Sequence, residues 1–192
     1  IRQGAPLDIY ISADSSFTTE LALEGLLHPT SIARLAHGEL LAVTSQAEKT
    51  PEVDTLMMGD TVRQIAIANP ALAPYGLAAL RYIESTAAWP TVQEKIVYGE
   101  NVAQVMQFVG TGNAELGFVP RSLFLASENG NVQALDSLPE HASVNLVVTA
   151  GISVESTQVH MAEDFMDHLQ QSISHATWDQ FGYRTYEFGD RG

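Results

Sequence analysis

The sequence contains no cysteine, only two lysines (Lys49 and Lys95) and no long apolar segment. The absence of cysteine excludes disulfides, thiolate metal sites and a cysteine nucleophile. No stretch approaches the roughly 20 apolar residues that a membrane-spanning helix requires. No signal peptide is visible either, which leaves a cytosolic protein or a mature, processed one.

Basic residues are scarce overall: Lys and Arg number 9 against 23 Asp and Glu, and the formal net charge is −14. Because basic patches supply most of the affinity for nucleic acid, this composition argues against a nucleic-acid partner. An acidic chain suggests a cationic ligand, but the charge also serves solubility or adaptation to a salty medium. We favour the second interpretation, since net charge by itself says little about a specific ligand.

The 192 residues, 45% of them hydrophobic, suffice for one large domain or two small ones. Strand-like and helix-like apolar patterns alternate along the chain, which predicts an α/β fold. The predicted strands are 7–11, 39–44, 65–68, 95–98, 116–119 and 143–149, and the predicted helices are 16–27, 54–60, 74–85, 102–110, 120–126 and 156–172.

Two of the predicted helices begin with residues suited to holding an anion. Pro74 presets the first helical turn, and Gly76 has no side chain, so a ligand can approach the backbone. Asn101 can cap the second helix, which leaves the N–H of Val102 pointing out of the helix end. Because helix N-termini offer N–H groups and a partial positive charge, an acidic protein can still bind an anion. The same residues also suit an ordinary helix start that binds nothing.

A histidine-bearing helix is the one candidate for a metal site. His160, Asp164 and His168 share a helix face at the spacing i, i+4, i+8. The outer two lie about 12 Å apart along the axis, so one ion could reach only two of the three. We interpret them as the polar face of an amphipathic helix and predict no metal site. No nucleophile–base motif is present, so we expect a binding protein that needs no cofactor and catalyses no reaction.

Four stretches together resemble the periplasmic molybdate-binding proteins of ABC transporters. They are residues 4–14 (GAPLDIYISAD), residues 65–70 with 73–76 (IAIANP and APYG), residues 112–119 (GNAELGFV) and residues 181–183 (FGY). They follow that family's order and cover nearly the whole chain. The resemblance implies a two-lobed, type II periplasmic-binding-protein fold with a central cleft. One lobe would comprise residues 1–36 and 144–192 and the other residues 37–143, with crossings near His37 and Ser143.

The resemblance also implies a ligand and a site. The backbone N–H groups of Tyr75 and Val102 would contact a molybdate or tungstate ion, with Gly76 and Asn101 beside them. The protein would be periplasmic or extracytoplasmic, monomeric, and would hand its ligand to the permease of an ABC importer. Molybdate and tungstate are nearly the same size, so the residues alone do not choose between them.

The chain departs from that family in two places. The family has further chain before the GAPxD strand, with a strand and serine-bearing turns that supply half of the anion contacts. The resemblance therefore implies that these residues hold about half of the pocket, and that the sheet of the lobe with residues 1–36 is incomplete. Some relatives also use a tyrosine just after the LGxV strand, where this chain has Pro120 and Arg121. Arg121 either faces the cleft or is solvated, and we expect it to be solvated because most arginines are exposed.

Two other functions stay open on the sequence. One is a related binding lobe or sensor domain for another small anion. The other is an enzyme on the same two-lobed fold, against which the absence of a nucleophile–base constellation counts.

Overall fold

A computed structural model describes residues 1–45, 52–127, 130–135, 138–143 and 146–185. The strands are β1 (Ile9–Ser12), β2 (Ala33–Gly38), β3 (Leu40–Thr44), β4 (Ile65–Ala68), β5 (Ile96–Gly99), β6 (Leu116–Pro120), β7 (Gln133–Ala134), β8 (Val147–Ile152) and β9 (Tyr183–Arg184). The α-helices are α1 (Ser15–Leu23), α2 (Val53–Met58), α3 (Pro74–Ser85), α4 (Trp89–Val92), α5 (Val102–Gly110), α6 (Arg121–Ala126), α7 (Val159–Gln170) and α8 (Ser172–Gln180). Short 3₁₀ helices occupy Pro29–Ser31, Gln93–Lys95 and Glu140–Ser143.

The chain forms two compact units, each with its own sheet. Unit 1 comprises Ile1–Gly38 and Asn145–Gly192, and unit 2 comprises Glu39–Val144. The assignment of these units to the two expected lobes, with boundaries after residues 36 and 143, stays a prediction.

Unit 2 contains a five-stranded sheet in the order β5-β4-β6-β3-β7. Strand β4 pairs parallel with both β5 and β6, whereas β3 runs antiparallel to β6. Helices connect the parallel strands, as a parallel pair requires. The residues that follow β4, β5 and β6 therefore lie together, and we call this region the carboxyl end of the sheet. The residues that precede those strands form the amino end. Because β3 runs the other way, Glu39, just before it, also lies at the carboxyl end.

Small residues let helix α5 pack closely on this sheet. Ala66 and Ala68 of β4 belong to a buried cluster with Val105 and Val109 of α5. In β6, a Cβ added to Gly117 would lie 2.6 Å from Cγ2 of Val109, closer than side-chain atoms normally approach. Helix α5 is thus held against the sheet by apolar burial, at roughly 1.5 kcal/mol or more for each fully buried valine.

Unit 1 contains a four-stranded antiparallel sheet in the order β1-β8-β2-β9. All residues of β8 are buried, and its Thr149 hydroxyl lies 2.9 Å from the hydroxyl of Thr18 in α1. Within the described residues, β1 pairs only with β8. That open side of β1 lies in the sheet that the resemblance predicts to be incomplete, and a further strand there stays a prediction.

The predicted α/β class is confirmed, and several elements agree closely. Strand 65–68 and helix 74–85 match β4 and α3 residue for residue. The predicted strand 143–149 is observed at Val147–Ile152, and residues 144 and 145 lie outside the described part of the chain.

Several elements of unit 1 differ from prediction. Strand β2 was not predicted, because its residues do not alternate and a register shift lies between Arg34 and Ala36. Helix α1 ends at Leu23, not near residue 27, and Gly25 follows with a φ of 72° that turns the chain. The predicted helix 156–172 is observed as α7, which ends at Gln170 because Gln171 adopts an extended conformation, and a separate helix, α8, follows from Ser172 to Gln180.

Candidate functional site

The turn between β4 and α3 is organised by Asn69. Its backbone oxygen accepts from the N–H groups of Leu72 and Ala73 at 3.0 and 2.9 Å, and its side-chain oxygen accepts from Ala71 at 3.0 Å. Its own N–H donates to the oxygen of Gly99, the last residue of β5, at 2.8 Å. One residue therefore sets where α3 begins and ties that turn to the end of the neighbouring strand.

Helix α3 begins at Pro74, with Tyr75 and Gly76 in its first turn. Ala73 precedes the helix in an extended conformation and makes no side-chain cap. Gly76 is buried, and an added Cβ would lie 2.1 Å from the backbone oxygen of Ala68 in β4. The ligand access expected of Gly76 from the sequence stays a prediction, and the structure gives this glycine a packing role. Its missing side chain lets the first turn of α3 sit against the end of β4.

Helix α5 begins as predicted, with Asn101 as its cap. The Asn101 side chain accepts from the N–H of Gln104 at 3.0 Å, and the Gln104 side chain accepts from the N–H of Glu100 at 2.7 Å. No described residue accepts a hydrogen bond from the N–H of Val102, the first residue of the helix. Reciprocal caps of this kind stabilise a helix start and fix the direction of its remaining N–H groups.

Both helix starts lie at the carboxyl end of the unit 2 sheet. They follow adjacent parallel strands, paired from Ile65↔Ile96 to Ala68↔Gly99. Adjacent strands are about 4.8 Å apart, so the two turns are neighbours. Helices of 12 and 9 residues both direct their positive dipole ends and first-turn N–H groups to this region. Such an arrangement favours an anion, and carboxyl ends of parallel strands are where open α/β sheets bind ligands.

A charged pair also lies at the carboxyl end. Nη1 of Arg121, in the first turn of α6, donates to Oε2 of Glu39 at 2.8 Å, and the Arg121 N–H donates to the Glu39 oxygen at 2.9 Å. The Arg121 side chain is 39% exposed. Arg121 is thus partly exposed and paired with a carboxylate, and the expectation that it is solvated stays a prediction. Pro120 ends β6 and has no N–H to donate.

Two of these residues were missed as functional candidates. Asn69 entered the sequence analysis only as part of the stretch 65–70, although its position before a proline is a turn signal that could have identified it. Glu39 carried no signal, since it meets Arg121 only through the pairing of β3 with β6.

The other sequence candidates do not assemble into a site. In the described part of the chain, no group of three or more His, Cys, Asp or Glu side chains could hold a metal ion. His160 instead lies 3.3 Å from Glu163 on the same exposed helix face. Across the described ranges, no helix has the length and hydrophobicity needed to cross a membrane.

Comparisons with known proteins identify the family. The model of the family "Bacterial extracellular solute-binding protein" matches residues 1–184. The chain is 33% identical over 131 residues to the molybdate-binding protein ModA of Rhodobacter capsulatus, covering 68% of this chain and 52% of that protein. It is 34% identical over 122 residues to ModA of Azotobacter vinelandii, covering 64% of this chain and 48% of that protein. The chain thus spans about half the length of these relatives.

A solved structure agrees with these relatives. The periplasmic molybdate-binding protein of Azotobacter vinelandii superposes with a TM-score of 0.79 at 27% identity, covering 97% of this chain and 81% of that one. The resemblance to molybdate-binding proteins and the expected type II periplasmic-binding-protein class are both confirmed. The match over residues 1–184 shows that the chain belongs to the bacterial extracellular solute-binding protein family.

Proposed function

We propose that this protein is an extracytoplasmic receptor that captures a molybdate- or tungstate-type oxyanion and delivers it to the permease of an ABC importer. Membership in a family of solute-binding proteins supports a binding role over catalysis. The names of the relatives from Rhodobacter capsulatus and Azotobacter vinelandii support molybdate as the ligand. The receptor would act as a monomer and bind the oxyanion without a cofactor.

One observation carries the proposal for the site: the starts of α3 and α5 lie side by side and are tied by the Asn69–Gly99 hydrogen bond of 2.8 Å. We propose that the N–H groups of Tyr75 and Val102 bind the anion. Gly76 would keep the first turn of α3 close to β4, and Asn101 would hold the start of α5.

Backbone donors suit a fully ionised oxyanion. An N–H group can only donate, so it satisfies the lone pairs of an unprotonated oxygen. A protonated oxyanion brings its own donors, which these N–H groups cannot satisfy. The helix dipoles add attraction without a formal charge, which makes a ligand of two negative charges compatible with a chain of net charge −14.

Isothermal titration calorimetry of the full-length protein tests the proposal. Molybdate, tungstate, sulfate and phosphate would be titrated separately into the same preparation. We expect heat and saturation with molybdate or tungstate, and weaker or no binding of the other two. No heat with any of the four anions would overturn the proposed function.

The role of the Val102 N–H can be tested by removing that one donor. Proline is tolerated at the first position of a helix, and Asn101 before it is already extended at φ −154° and ψ 174°. Val102→Pro should therefore keep the fold but lower the affinity for molybdate by about 10- to 100-fold, as expected for one hydrogen bond to a charged group.

Ser15→Pro is the matched control for that variant. It places proline at the first position of α1, after Asp14, which is also extended at φ −132° and ψ 118°. We expect this control to bind molybdate like the unmodified protein. Equal affinity of both variants would refute the assignment of Val102.

A further inference from the structure

We infer that Arg121 is an additional, affinity-determining contact of the oxyanion, and that Glu39 restrains it when the ligand is absent. This inference rests on the proposed function and adds a charged residue to a site otherwise built from backbone N–H groups.

Arg121 directly follows β6, the strand beside β4. Strand β6 pairs parallel with β4 at Ile65↔Leu116 and Ala66↔Gly117. Continuing that register brings Pro120 to the level of Asn69, so Arg121 follows at the level of the turn that leads into α3. The two strands are neighbours, about 4.8 Å apart. Arg121 therefore begins α6 at the same end of the sheet at which α3 begins.

The guanidinium of Arg121 has more donors than its ion pair uses. A guanidinium has five N–H donors, and among the described residues only Glu39 accepts from this one, at Nη1. The remaining donors can contact an oxygen of an anion. Arginine also suits this task because its planar donor fork matches oxyanions better than an ammonium group does.

Glu39 holds the guanidinium of Arg121. Its side chain is only 14% exposed and lies 2.8 Å from Nη1 of Arg121. A carboxylate this close competes with an incoming anion for the same guanidinium. Glu39 therefore fixes Arg121 in place while weakening its attraction for a dianion. Removing Arg121 should therefore lower the affinity for the anion, and removing Glu39 should raise it.

Molybdate titrations of the two single variants in the full-length protein test this inference. We expect Arg121→Gln to lower affinity by about tenfold, as for the loss of one charge-assisted hydrogen bond. We expect Glu39→Gln to raise affinity a few-fold, since the guanidinium is then available to the ligand. In the double variant, Glu39→Gln should raise the affinity less than it does in the single variant. If Glu39→Gln acts by releasing the guanidinium, its effect requires Arg121. If it acts only by removing a negative charge, its effect would be the same without Arg121.

Arg63→Gln provides a matched control. Arg63 also forms an ion pair, 3.1 Å from Glu115, but at the amino end of the same sheet. Its replacement should leave the affinity for molybdate unchanged. Urea unfolding of all variants reports whether an affinity change follows a loss of stability.

Three outcomes overturn the inference. The first is unchanged affinity in Arg121→Gln while the unmodified protein binds molybdate, which leaves the proposed function intact. The second is an equal loss of affinity in Arg121→Gln and Arg63→Gln that parallels lower stability, as a purely structural ion pair would give. The third is the absence of binding by the unmodified protein, which removes the proposed function as well.

Discussion

At the amino end of the unit 2 sheet, charged side chains bind the backbone directly. Glu115 accepts from the N–H groups of Arg63 and Gln64 at 3.0 and 2.9 Å, and also from the Arg63 guanidinium. Lys95 donates to the oxygens of Met57 and Gly59 at 3.0 and 3.1 Å. The N–H groups just before β4 and the carbonyl oxygens at the end of α2 therefore have hydrogen-bond partners within the protein.

At the carboxyl end, apart from the Arg121–Glu39 pair, neutral groups shape the backbone. Asn69 and Asn101 organise the turns into α3 and α5 through amide oxygens, and Gly76 provides close contact without a side chain. The two ends of the sheet thus differ in how their backbone groups are held. Charged side chains at the amino end form hydrogen bonds and ion pairs within the protein. At the carboxyl end, the positive ends of the dipoles of α3 and α5 point away from the strands.

The largest expected effect comes from filling the contact at Gly76. Gly76→Ala would place a Cβ 2.1 Å from the rigid backbone oxygen of Ala68. We expect a loss of about 3 kcal/mol or more in the free energy of unfolding, measured in urea, because neither backbone can move without disturbing β4.

Gly110→Ala is the control for that substitution. A Cβ there meets only Cγ2 of Val132, at 3.6 Å, an ordinary contact. Because alanine favours helices, stability should be unchanged or higher by up to about 1 kcal/mol. A Gly76→Ala variant as stable as this control would disprove the close-packing explanation.

The next effect concerns Glu115 and depends on pH. Burial favours a higher pKa for Glu115, but hydrogen bonds from the backbone of Gln64 and Arg63 and from the Arg63 side chain outweigh it and lower the pKa. Glu115→Gln should lower the free energy of unfolding by about 1–3 kcal/mol at neutral pH.

The sign of the pH dependence follows from that lowered pKa. A carboxylate with a lower pKa in the folded state stabilises the protein above the ordinary glutamate pKa of about 4.3, and loses this contribution as the pH falls through the folded-state pKa. The stability difference between the unmodified protein and Glu115→Gln should therefore shrink in acid. Unfolding curves at about pH 7 and about pH 3 would measure it, and a constant difference would contradict the prediction.

Smaller effects are expected at Asn101, where two substitutions distinguish the loss of the helix cap from the addition of a negative charge. Asn101→Ala should lower the free energy of unfolding by about 1 kcal/mol through loss of the cap. Asn101→Asp should retain the cap, since Asp and Asn cap equally well, but should weaken molybdate binding by about tenfold through repulsion. Calorimetric titration and urea unfolding distinguish the two effects. Unchanged binding by Asn101→Asp would mean that no anion binds near α5.

The smallest effect is expected at Lys95. Lys95→Gln should reduce the free energy of unfolding by less than about 1 kcal/mol, since the bonds to Met57 and Gly59 are only part-buried. Affinity for molybdate should not change, because Lys95 lies at the amino end. An altered affinity would show that the two ends of the sheet are not independent.

Periodicity and local chemistry accounted for much of unit 2. The apolar run of β4 and the proline-led start of α3 predicted both elements residue for residue. Asn101 was correctly predicted as a cap, because the interaction spans only three residues. Unit 1 was predicted less well, since β2 pairs with distant residues and its local sequence carries no alternation.

By itself, the sequence determined the α/β class, the two helix starts and, through its resemblances, the family. These features depend on neighbouring residues and on motifs, so they can be recognised along the chain. Only the tertiary structure decided that Gly76 packs against Ala68, that Asn69 ties the ends of β4 and β5, and that Glu39 holds Arg121. Each of these contacts joins residues on different strands, and strand order and register arise only when the sheet forms.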